Sequence, residues 1–504
     1  MLLPVCLILC RIIGRARYST VASAPVVGRG WRFEPLFLTR YRFLLGGWAI
    51  TRDGWDQYSD SVFTIVRPDA NITVLPPRYL NEIQNLHDDK LHAMQALSED
   101  MGGDYSGISI LVGSHLTFNV VRNKLTPKMG AMLPLLVDEL EHAMKVEIPP
   151  CKGEWVSVDL SMIMTRLISR LTSRVWVGKE LSRNNEWHTV NIATTENIFI
   201  TALALRCLPP ALHPVVAAVI PTRRRIRQGM GRVQSFLVPV IKERRRRQAE
   251  EGKLYEKPDD VLQWLMDGAS DEEQAADNLA ARYVYSVIGS LYTVVGALVD
   301  CLYDVSEHPE YRVPLQQEVG QALGVSGTGS VDFRSWQKGT AAKLVKMDSF
   351  MKESLRMNGP SPMSQKRIVK ETLKLSDGLT LPTGAYVCMV DPSAIGRGPG
   401  DFDGFRYARL RQDPGFAERY QYTATDKDHL AFGHGRYACP GRWVAALKIK
   451  LVFAAMLERY DVSFVGESGS GGGGVARPKK LQVLELGFHD PRSRVFLRER
   501  PNIG

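Results

Sequence analysis

The sequence predicts a mainly α-helical protein with a small β region, folded as one large domain. Apolar residues recur at helical spacing over several long stretches, which is the pattern of helices that pack on a core. Short runs rich in β-branched and aromatic residues occur in only a few places, so strands are a minor component. No internal repeat and no linker-like segment divides the 504 residues, although that length exceeds the usual single core.

The periodic patterns place the helices and strands along the chain. We expect helices at about 127–146, 157–177, 187–208, 229–250, 272–307, 340–357 and 442–459. We expect strands at about 62–66, 72–75, 372–375 and 386–389, and then in the C-terminal tail. The run 468–474 contains only Gly and Ser, which is typical of a flexible surface loop.

The longest helical signal lies in the middle of the chain. Ser270 and Glu273 have the spacing of a capping box, and no proline interrupts the following apolar pattern before Pro309. A helix of more than about thirty residues would be roughly 50 Å long. Such a helix would cross the whole domain.

Composition is that of an ordinary globular enzyme, with 23% charged and 44% hydrophobic residues. The seven cysteines are scattered and odd in number, which argues against a disulfide framework and for a reducing compartment. No Cys and His cluster has the spacing of a zinc site.

The net charge of +10 raises the question of nucleic-acid binding, as do two runs made only of arginine, 223–225 and 244–247. Both runs fall in predicted amphipathic helices, and no nucleic-acid-binding module accompanies them. We therefore interpret them as solvated helix faces and expect no nucleic-acid partner.

The most informative segment is FGHGRYACPGR, which begins at Phe432 and contains Cys439. A thiolate that ligates a haem iron needs a helix start, where free backbone N–H groups and the helix dipole favour the anion. Gly433 and Gly435 remove side chains where a backbone must pass close to a flat ligand. Pro440 and Gly441 then turn the chain into a long apolar run. A lone Cys in a Gly-rich loop would be an incidental thiol, but this spacing favours a ligand.

The spacing of Phe432, Gly435, Cys439 and Gly441 resembles the haem-ligand loop of the cytochrome P-450 monooxygenases, and the whole segment resembles its filamentous-fungal form. The resemblance implies the fold of that family, with a buried haem b whose iron has Cys439 as its axial ligand. It also implies that Phe432, Gly433, Gly435 and Gly441 contact the cofactor.

A second motif is Glu353-x-x-Arg356, whose side chains share one face of a helix and can pair. Alone it is a weak signal, because such pairs are common on solvated faces. By the same resemblance, Arg406 completes a buried lock in which one carboxylate binds two guanidinium groups. Its expected role is folding and haem retention.

The long central helix carries the residues that the resemblance assigns to oxygen chemistry. Thr293 falls where the family places its oxygen-handling threonine, and Tyr292 replaces the acid that usually precedes it. A phenol can donate a hydrogen bond but rarely ionises at neutral pH, so this departure leaves the proton route open.

Two haem carboxylates must be neutralised when they leave water, which explains why the family places cations around them. The resemblance assigns this role to Arg122, which has Phe118 in the place of a usual Trp, and to Arg367. Tyr437 stands where the family has Arg or His, two residues before the thiolate.

The resemblance implies insertion of one atom of dioxygen into a bulky apolar molecule, with electrons from NADPH through NADPH-cytochrome P-450 reductase. The predicted substrate contacts lie in aliphatic stretches and are Tyr105, Ile110, Gly289, Pro360 and Met363. An intermediate of fungal secondary metabolism, of terpenoid, meroterpenoid or indole-diterpene type, is the substrate class that we expect.

Two alternatives stay open at this point. Tyr292 could mark a haem-thiolate peroxygenase or isomerase that needs no reductase. In another functional class, a haem-free protein that binds nucleic acid or a membrane would explain the arginines.

The N-terminus predicts a targeting segment at 1–30, followed by the catalytic domain at 31–504. Residues 1–10 are apolar but too few to span a bilayer, and Arg11, Arg15 and Arg17 follow them. An apolar start followed by positive charge fits cytoplasmic retention. We expect a short anchor in the endoplasmic reticulum membrane with the catalytic domain in the cytosol, although a cleaved signal or transit peptide has a similar pattern.

Overall fold

A computed structural model describes residues 18–31, 33–324, 331–337, 339–396, 400–464 and 476–501. The Gly/Ser run 468–474 and residues 1–17 of the predicted targeting segment lie outside the described residues. The described helices of eight or more residues are α1 (Leu36–Tyr58), α2 (Ala93–Asp100), α3 (Met129–Glu147), α4 (Leu160–Trp176), α5 (Asn185–Arg206), α6 (Pro221–Glu251), α7 (Val261–Gly268), α8 (Ala276–Glu307), α9 (Arg312–Ala322), α10 (Val345–Asn358) and α11 (Arg442–Arg459). Shorter helices are Leu80–Ile83, Gly103–Ser106, Leu116–Val120, Lys179–Ser182, His213–Val219, Thr340–Lys343 and Arg406–Leu410.

The strands form small sheets beside this helical body, as the sequence predicts. They are β1 (Phe63–Val66), β2 (Asn71–Val74), β3 (Leu91–His92), β4 (Val156–Val158), β5 (Met363–Val369), β6 (Leu373–Lys374), β7 (Thr380–Leu381), β8 (Tyr386–Val390), β9 (Tyr460–Ser463), β10 (Lys480–Val483), β11 (Leu486–His489) and β12 (Val495–Glu499). The largest sheet has the order β1-β2-β8-β5-β3, with β2 and β8 parallel and the other pairs antiparallel.

Strand β5 is the main strand that sequence reasoning missed. Its register against β8 shifts between Ser364 and Arg367, and Gln365 has a positive φ of 52°. A bulge of this kind breaks the period-2 pattern from which strands are recognised. It also turns Gln365 and Arg367 toward the site described below.

Helix α8 runs through the centre of the helical body and packs on α4, α6, α10 and α11. The expected start at residue 272 is wrong, because the helix begins at Ala276. Glu273 does accept the backbone N–H of Ser270 at 3.0 Å, but it also binds Ser114 and Arg282, so it closes a turn ahead of the helix. Among the described helices, α8 alone is long and apolar enough to cross a bilayer, and here it is the core helix of the domain.

Helix α6 carries the arginine runs, and acidic residues neutralise much of the second run. Arg244 makes a buried two-point contact with Asp260, and Arg246 pairs with Glu243 and Glu250 on its own helix. Arg247 pairs with Glu251. These arginines therefore serve the packing and the surface of α6.

Candidate haem-thiolate site

Cys439 lies in the loop that leads into α11, three residues before Arg442 begins that helix. Its backbone N–H donates to the carbonyl of Phe432 at 2.7 Å, which closes the loop. Burial raises the pKa of the thiol, while the backbone N–H groups of Gly441 and Arg442 donate to the sulfur and oppose that rise. A sulfur that accepts two amide hydrogen bonds at a helix start is prepared for a thiolate.

The glycines of this loop hold a backbone shape that side chains would prevent. Gly433 and Gly435 have positive φ values of 66° and 72°. A Cβ at Gly435 would lie 2.5 Å from the carbonyl oxygen of Gln84, so no larger residue fits there. Phe432 packs edge-on against Tyr422, with ring centroids 5.4 Å apart.

Arg367 is a buried cation that makes no ion pair with a carboxylate among the described residues. Its side chain donates to Oε1 of Gln365 at 2.9 Å and to the carbonyl of Lys366 at 2.8 Å. Burial lowers the pKa of Arg367 to about 10. A buried guanidinium without a counterion is costly, and a haem propionate is the kind of anion that would satisfy it.

Arg442 and Arg122 form a second cationic pair near the thiolate. Nη1 of Arg442 donates to the carbonyl of Cys439 at 2.9 Å, and its Nε is buried without a hydrogen-bond partner among the described residues. Burial lowers the pKa of Arg442, and the nearby Arg122 lowers it further. Arg122 is exposed on the π-helical turn Val121–Leu125. Sequence reasoning missed Arg442, although its position directly after Gly441 was a usable signal.

The haem b implied by the loop fits these residues. Cys439 offers the axial sulfur, and Arg367, Arg442 and Arg122 offer positive charge for two propionates. The guanidinium of Arg367 is the observation that decides this fit, because its hydrogen bonds go to neutral oxygens and only Tyr437 and Asp88, without an ion pair, oppose the effect of its burial.

Tyr437 lies between these cations and an acid that the sequence did not reveal. Its hydroxyl hydrogen-bonds to Asp88. Burial is the larger cause that raises the pKa of the phenol, and the hydrogen bond to Asp88 raises it further. The guanidinium carbon of Arg367 lies 5.4 Å from the centre of its ring. The His115 ring stacks on the Tyr437 ring, with ring centres 6.3 Å apart, and Nε2 of His115 lies 3.1 Å from a carboxylate oxygen of Asp88. The centre of the Phe118 ring also lies 6.3 Å from that of Tyr437. Asp88 and His115 are far from Tyr437 in sequence, so no motif connects them.

The structure brings Glu353, Arg356 and Arg406 together. Glu353 is fully buried and accepts Nε and Nη2 of Arg356 at 2.8 and 2.7 Å. Nη2 of Arg406 lies 3.3 Å from the same carboxylate, which also accepts the backbone N–H of Asp403 at 3.0 Å. The carboxylate thus fixes α10 to the segment that follows Gly400.

The middle of α8 presents an exposed stripe although its flanking residues are buried. Gly289 and Thr293 are exposed, and Gly296 is half-exposed one turn further on. A Cβ built on Gly289 or Gly296 would meet no atom within 4 Å, so the stripe borders open space beside α8. The Thr293 hydroxyl donates to the carbonyl of Gly289 at 3.0 Å.

Tyr292 points away from this stripe toward α5. Its hydroxyl donates to the carbonyl of Ile192 at 3.4 Å and accepts from Thr195 at 3.4 Å. Burial is the larger cause that raises the pKa of the phenol, and the nearby charge of Glu196 raises it further. Its ring lies 6.5 Å from Phe199, which in turn packs edge-on against Phe488 at 5.2 Å.

The predicted substrate residues occupy different environments. Tyr105 is half-buried against His213 and Arg223, and Ile110 packs half-buried on the main core from the turn Ile108–Leu111. Pro360 is exposed and accepts the backbone N–H of Gly487. Met363 is buried in the core beside β8. Of this set, only Gly289 lies on the α8 stripe.

Comparison with known proteins gives the same assignment as the loop. Residues 93–471 match the family model for cytochrome P-450. The chain is 36% identical to cytochrome P-450 monooxygenase AN1598 of Emericella nidulans, over 96% of this chain and 89% of that protein. It is 34% identical to ent-kaurene oxidase of Fusarium fujikuroi, over 96% and 89%. It is also 34% identical to cytochrome P-450 monooxygenase paxP of Penicillium paxilli, over 94% and 89%.

Among solved structures, the retinoic acid bound cyanobacterial CYP120A1 superposes with a TM-score of 0.67. The superposition covers 95% of this chain and all of that chain, at 16% sequence identity. The two proteins therefore share a fold.

Proposed function

Because this chain belongs to the cytochrome P-450 family, we propose that it oxidises a bulky apolar terpenoid with dioxygen and electrons from NADPH. The chain is a haem-thiolate monooxygenase, which excludes the haem-free binding protein considered above. Three points of the proposal go beyond family membership. They are the terpenoid substrate class, the reductase as electron donor and the location at a membrane.

The open stripe on α8 is the observation that carries the proposal. Gly289 and Gly296 border open space beside α8, Thr293 is exposed between them, and the side chains of the helix there are small and uncharged. A large uncharged substrate can exchange water for such a lining, whereas an ionic one would lose its hydration without a partner. One relative is named for oxidising ent-kaurene, which supports a terpenoid substrate.

The residues of the chain have separate roles in the proposed reaction. Cys439 donates electron density through its sulfur, and bound haem supplies the activation of dioxygen. Arg367, Arg442 and Arg122 would hold the two propionates, and Tyr437 lies beside Arg367. Thr293 faces the open stripe and offers one hydroxyl for oxygen and water there, while Tyr292 keeps α8 packed on α5.

We also propose attachment to the endoplasmic reticulum through residues 1–30, with electrons delivered by NADPH-cytochrome P-450 reductase. Exposed apolar side chains continue just beyond this segment, at Phe33, Phe37, Tyr41 and Leu45. They form a surface suited to a lipid headgroup region. The full-length chain should sediment with microsomes, and a mature N-terminus near Pro25 would contradict the anchor.

The function is tested by incubating the full chain with reductase, NADPH and a panel of terpenoid hydrocarbons that begins with ent-kaurene. Isotopically labelled dioxygen should put one labelled oxygen atom into the product. Product that forms only from hydrogen peroxide, with no NADPH consumed, would contradict reductase-dependent oxidation. Turnover limited to small charged molecules would contradict the substrate class.

A further inference from the structure

The proposed reaction consumes two protons for each dioxygen, and α8 lacks an acid at the position that precedes Thr293. One dioxygen, two electrons and two protons give one inserted oxygen atom and one water. Tyr292 cannot carry those protons, because its phenol points toward α5 and burial raises its pKa. A proton source must therefore reach the open stripe from another direction.

The first acid on α8 after Thr293 is Asp300, which is buried two turns further along the helix. One of its carboxylate oxygens lies 3.3 Å from Nε2 of His489, the last residue of β11. The other accepts Nζ of Lys480 at 2.8 Å. The edge of the Tyr303 ring meets the imidazole, with ring centres 5.5 Å apart.

His489 connects this acid to the open stripe. Its Nε2 lies 3.4 Å from the carbonyl oxygen of Gly296. Because helical residues three apart are neighbours, Gly296 follows Thr293 along one side of α8. A Cβ on Gly296 would meet nothing within 4 Å, so open space borders the residue whose carbonyl His489 contacts.

The other end of this cluster reaches solvent. Nη1 of Arg477 binds Asp304 and lies 2.7 Å from Glu307, while its Nη2 lies 3.4 Å from Asp300. The side chains of Lys480 and Glu307 are 22% and 37% exposed. A continuous row of polar groups therefore runs from the surface to the stripe.

We infer that Asp300 and His489 form a proton relay that supplies the open stripe beside Thr293, in place of the missing acid at 292. Nε2 of the neutral imidazole accepts a proton from Asp300 and passes it to water beside the Gly296 carbonyl, which lies near the same nitrogen. Asp300 then regains a proton from Nζ of Lys480, which is partly exposed and takes up a proton from solvent in turn. The inference rests on the proposed function, since only the reductive use of dioxygen requires these protons.

The electrostatics of the cluster support this role. Burial lowers the pKa of His489 to about 4, with Lys480 and Arg477 adding to the effect, so the imidazole is neutral at pH 7. A neutral imidazole can accept a proton at the ring nitrogen that carries none and release that proton again. Burial raises the pKa of Asp300, against the lowering effect of Lys480 and Arg477. A carboxyl whose pKa is raised donates protons more readily near neutral pH.

The test is His489→Gln in the full-length, haem-loaded protein with its reductase. The side-chain amide of glutamine can still donate a hydrogen bond to the Gly296 carbonyl or to the Asp300 carboxylate, but it has no titratable nitrogen. We measure how NADPH-derived electrons divide between hydrogen peroxide and water, with and without ent-kaurene as the probe. We then measure oxidation of ent-kaurene driven by added hydrogen peroxide, which brings its own protons, electrons and oxygen. Tyr303→Phe is the matched control, because it keeps the ring that packs on His489.

If the relay operates, NADPH-driven formation of water and product falls by at least about tenfold in His489→Gln, in the range of general acid catalysis. The electrons then appear in hydrogen peroxide, while peroxide-driven oxidation and the control stay near wild type. Asp300→Asn should give the same division wherever it folds. An unchanged division of electrons in His489→Gln would overturn the inference, and so would equal loss of NADPH-driven and peroxide-driven product. Failure of the proposed function differs, since the wild-type protein itself would then consume no NADPH.

Discussion

Nε and Nη2 of Arg356 donate in parallel to the two carboxylate oxygens of Glu353, at 2.8 and 2.7 Å, and both side chains are buried. Arg406 approaches the same carboxylate at 3.3 Å. One carboxylate thus balances the charges of two guanidinium groups, one on α10 and one at the start of the short helix Arg406–Leu410. This arrangement makes Glu353 the most sensitive member of the group.

Glu353→Ala should leave two cations without their shared acid. Stranding buried charge in this way costs about 3 to 5 kcal/mol. We expect lower stability in urea and loss of most of the haem, measured on the purified protein. Glu243→Ala is the matched control, because Glu243 pairs with Arg246 at the same spacing on an exposed helix face. Equal haem content in both variants would show that Glu353 has no such role.

Arg367→Met should affect the apoprotein and the haem-loaded protein in opposite directions. In the apoprotein it removes a buried charge that has no ion pair among the described residues, so stability in urea should stay equal or rise. In the loaded protein it removes a propionate partner, so haem should dissociate faster to an acceptor such as apomyoglobin. Arg436→Met, at an exposed position of the Cys439 loop, should change neither value. Unchanged haem loss in Arg367→Met would remove Arg367 from the site.

Thr293→Ala and Tyr292→Phe should differ in how they couple NADPH to product. Thr293 faces the open stripe, so loss of its hydroxyl should divert electrons into hydrogen peroxide. Tyr292 is directed at Ile192 on α5, so loss of its hydroxyl should leave coupling near wild type. The measurement is product and hydrogen peroxide formed for each NADPH oxidised. Equal uncoupling by both changes would place Tyr292 in the proton route after all.

His188 should make the protein less stable as pH falls. Its ring is fully buried between the Ser169 hydroxyl and the Ser182 carbonyl, and burial lowers its pKa from 6.5 to about 4. As pH falls, His188 is protonated in the unfolded chain before it is protonated in the folded protein. Its contribution to the free energy of unfolding is therefore complete above pH 6.5 and declines as pH falls to about 4. The loss is on the order of 3 kcal/mol. Urea unfolding at several pH values should show a shallower decline in His188→Gln, and parallel curves would contradict the assignment.

The sequence predicted the parts of the site that lie in short motifs, and it missed those assembled by the fold. Cys439, Glu353 and Arg356 belong to local patterns whose chemistry is readable, and α11 begins and ends where the periodicity placed it. Asp88, His115 and His489 come from separate segments, so only the folded chain shows their neighbours. The bulge in β5 obscured a strand, and Met363, expected at the substrate, packs in the core beside it.

The central claim is that Cys439 holds haem iron through its thiolate, and the absorption spectrum of the reduced protein with carbon monoxide tests it most directly. The wild-type protein should show the red-shifted Soret band of thiolate ligation. Cys439→Ser should lose that band, and Cys207→Ser, at a half-buried thiol outside the loop, should keep it. Persistence of the band in Cys439→Ser, or its absence from a haem-loaded and folded wild-type protein, would contradict the account.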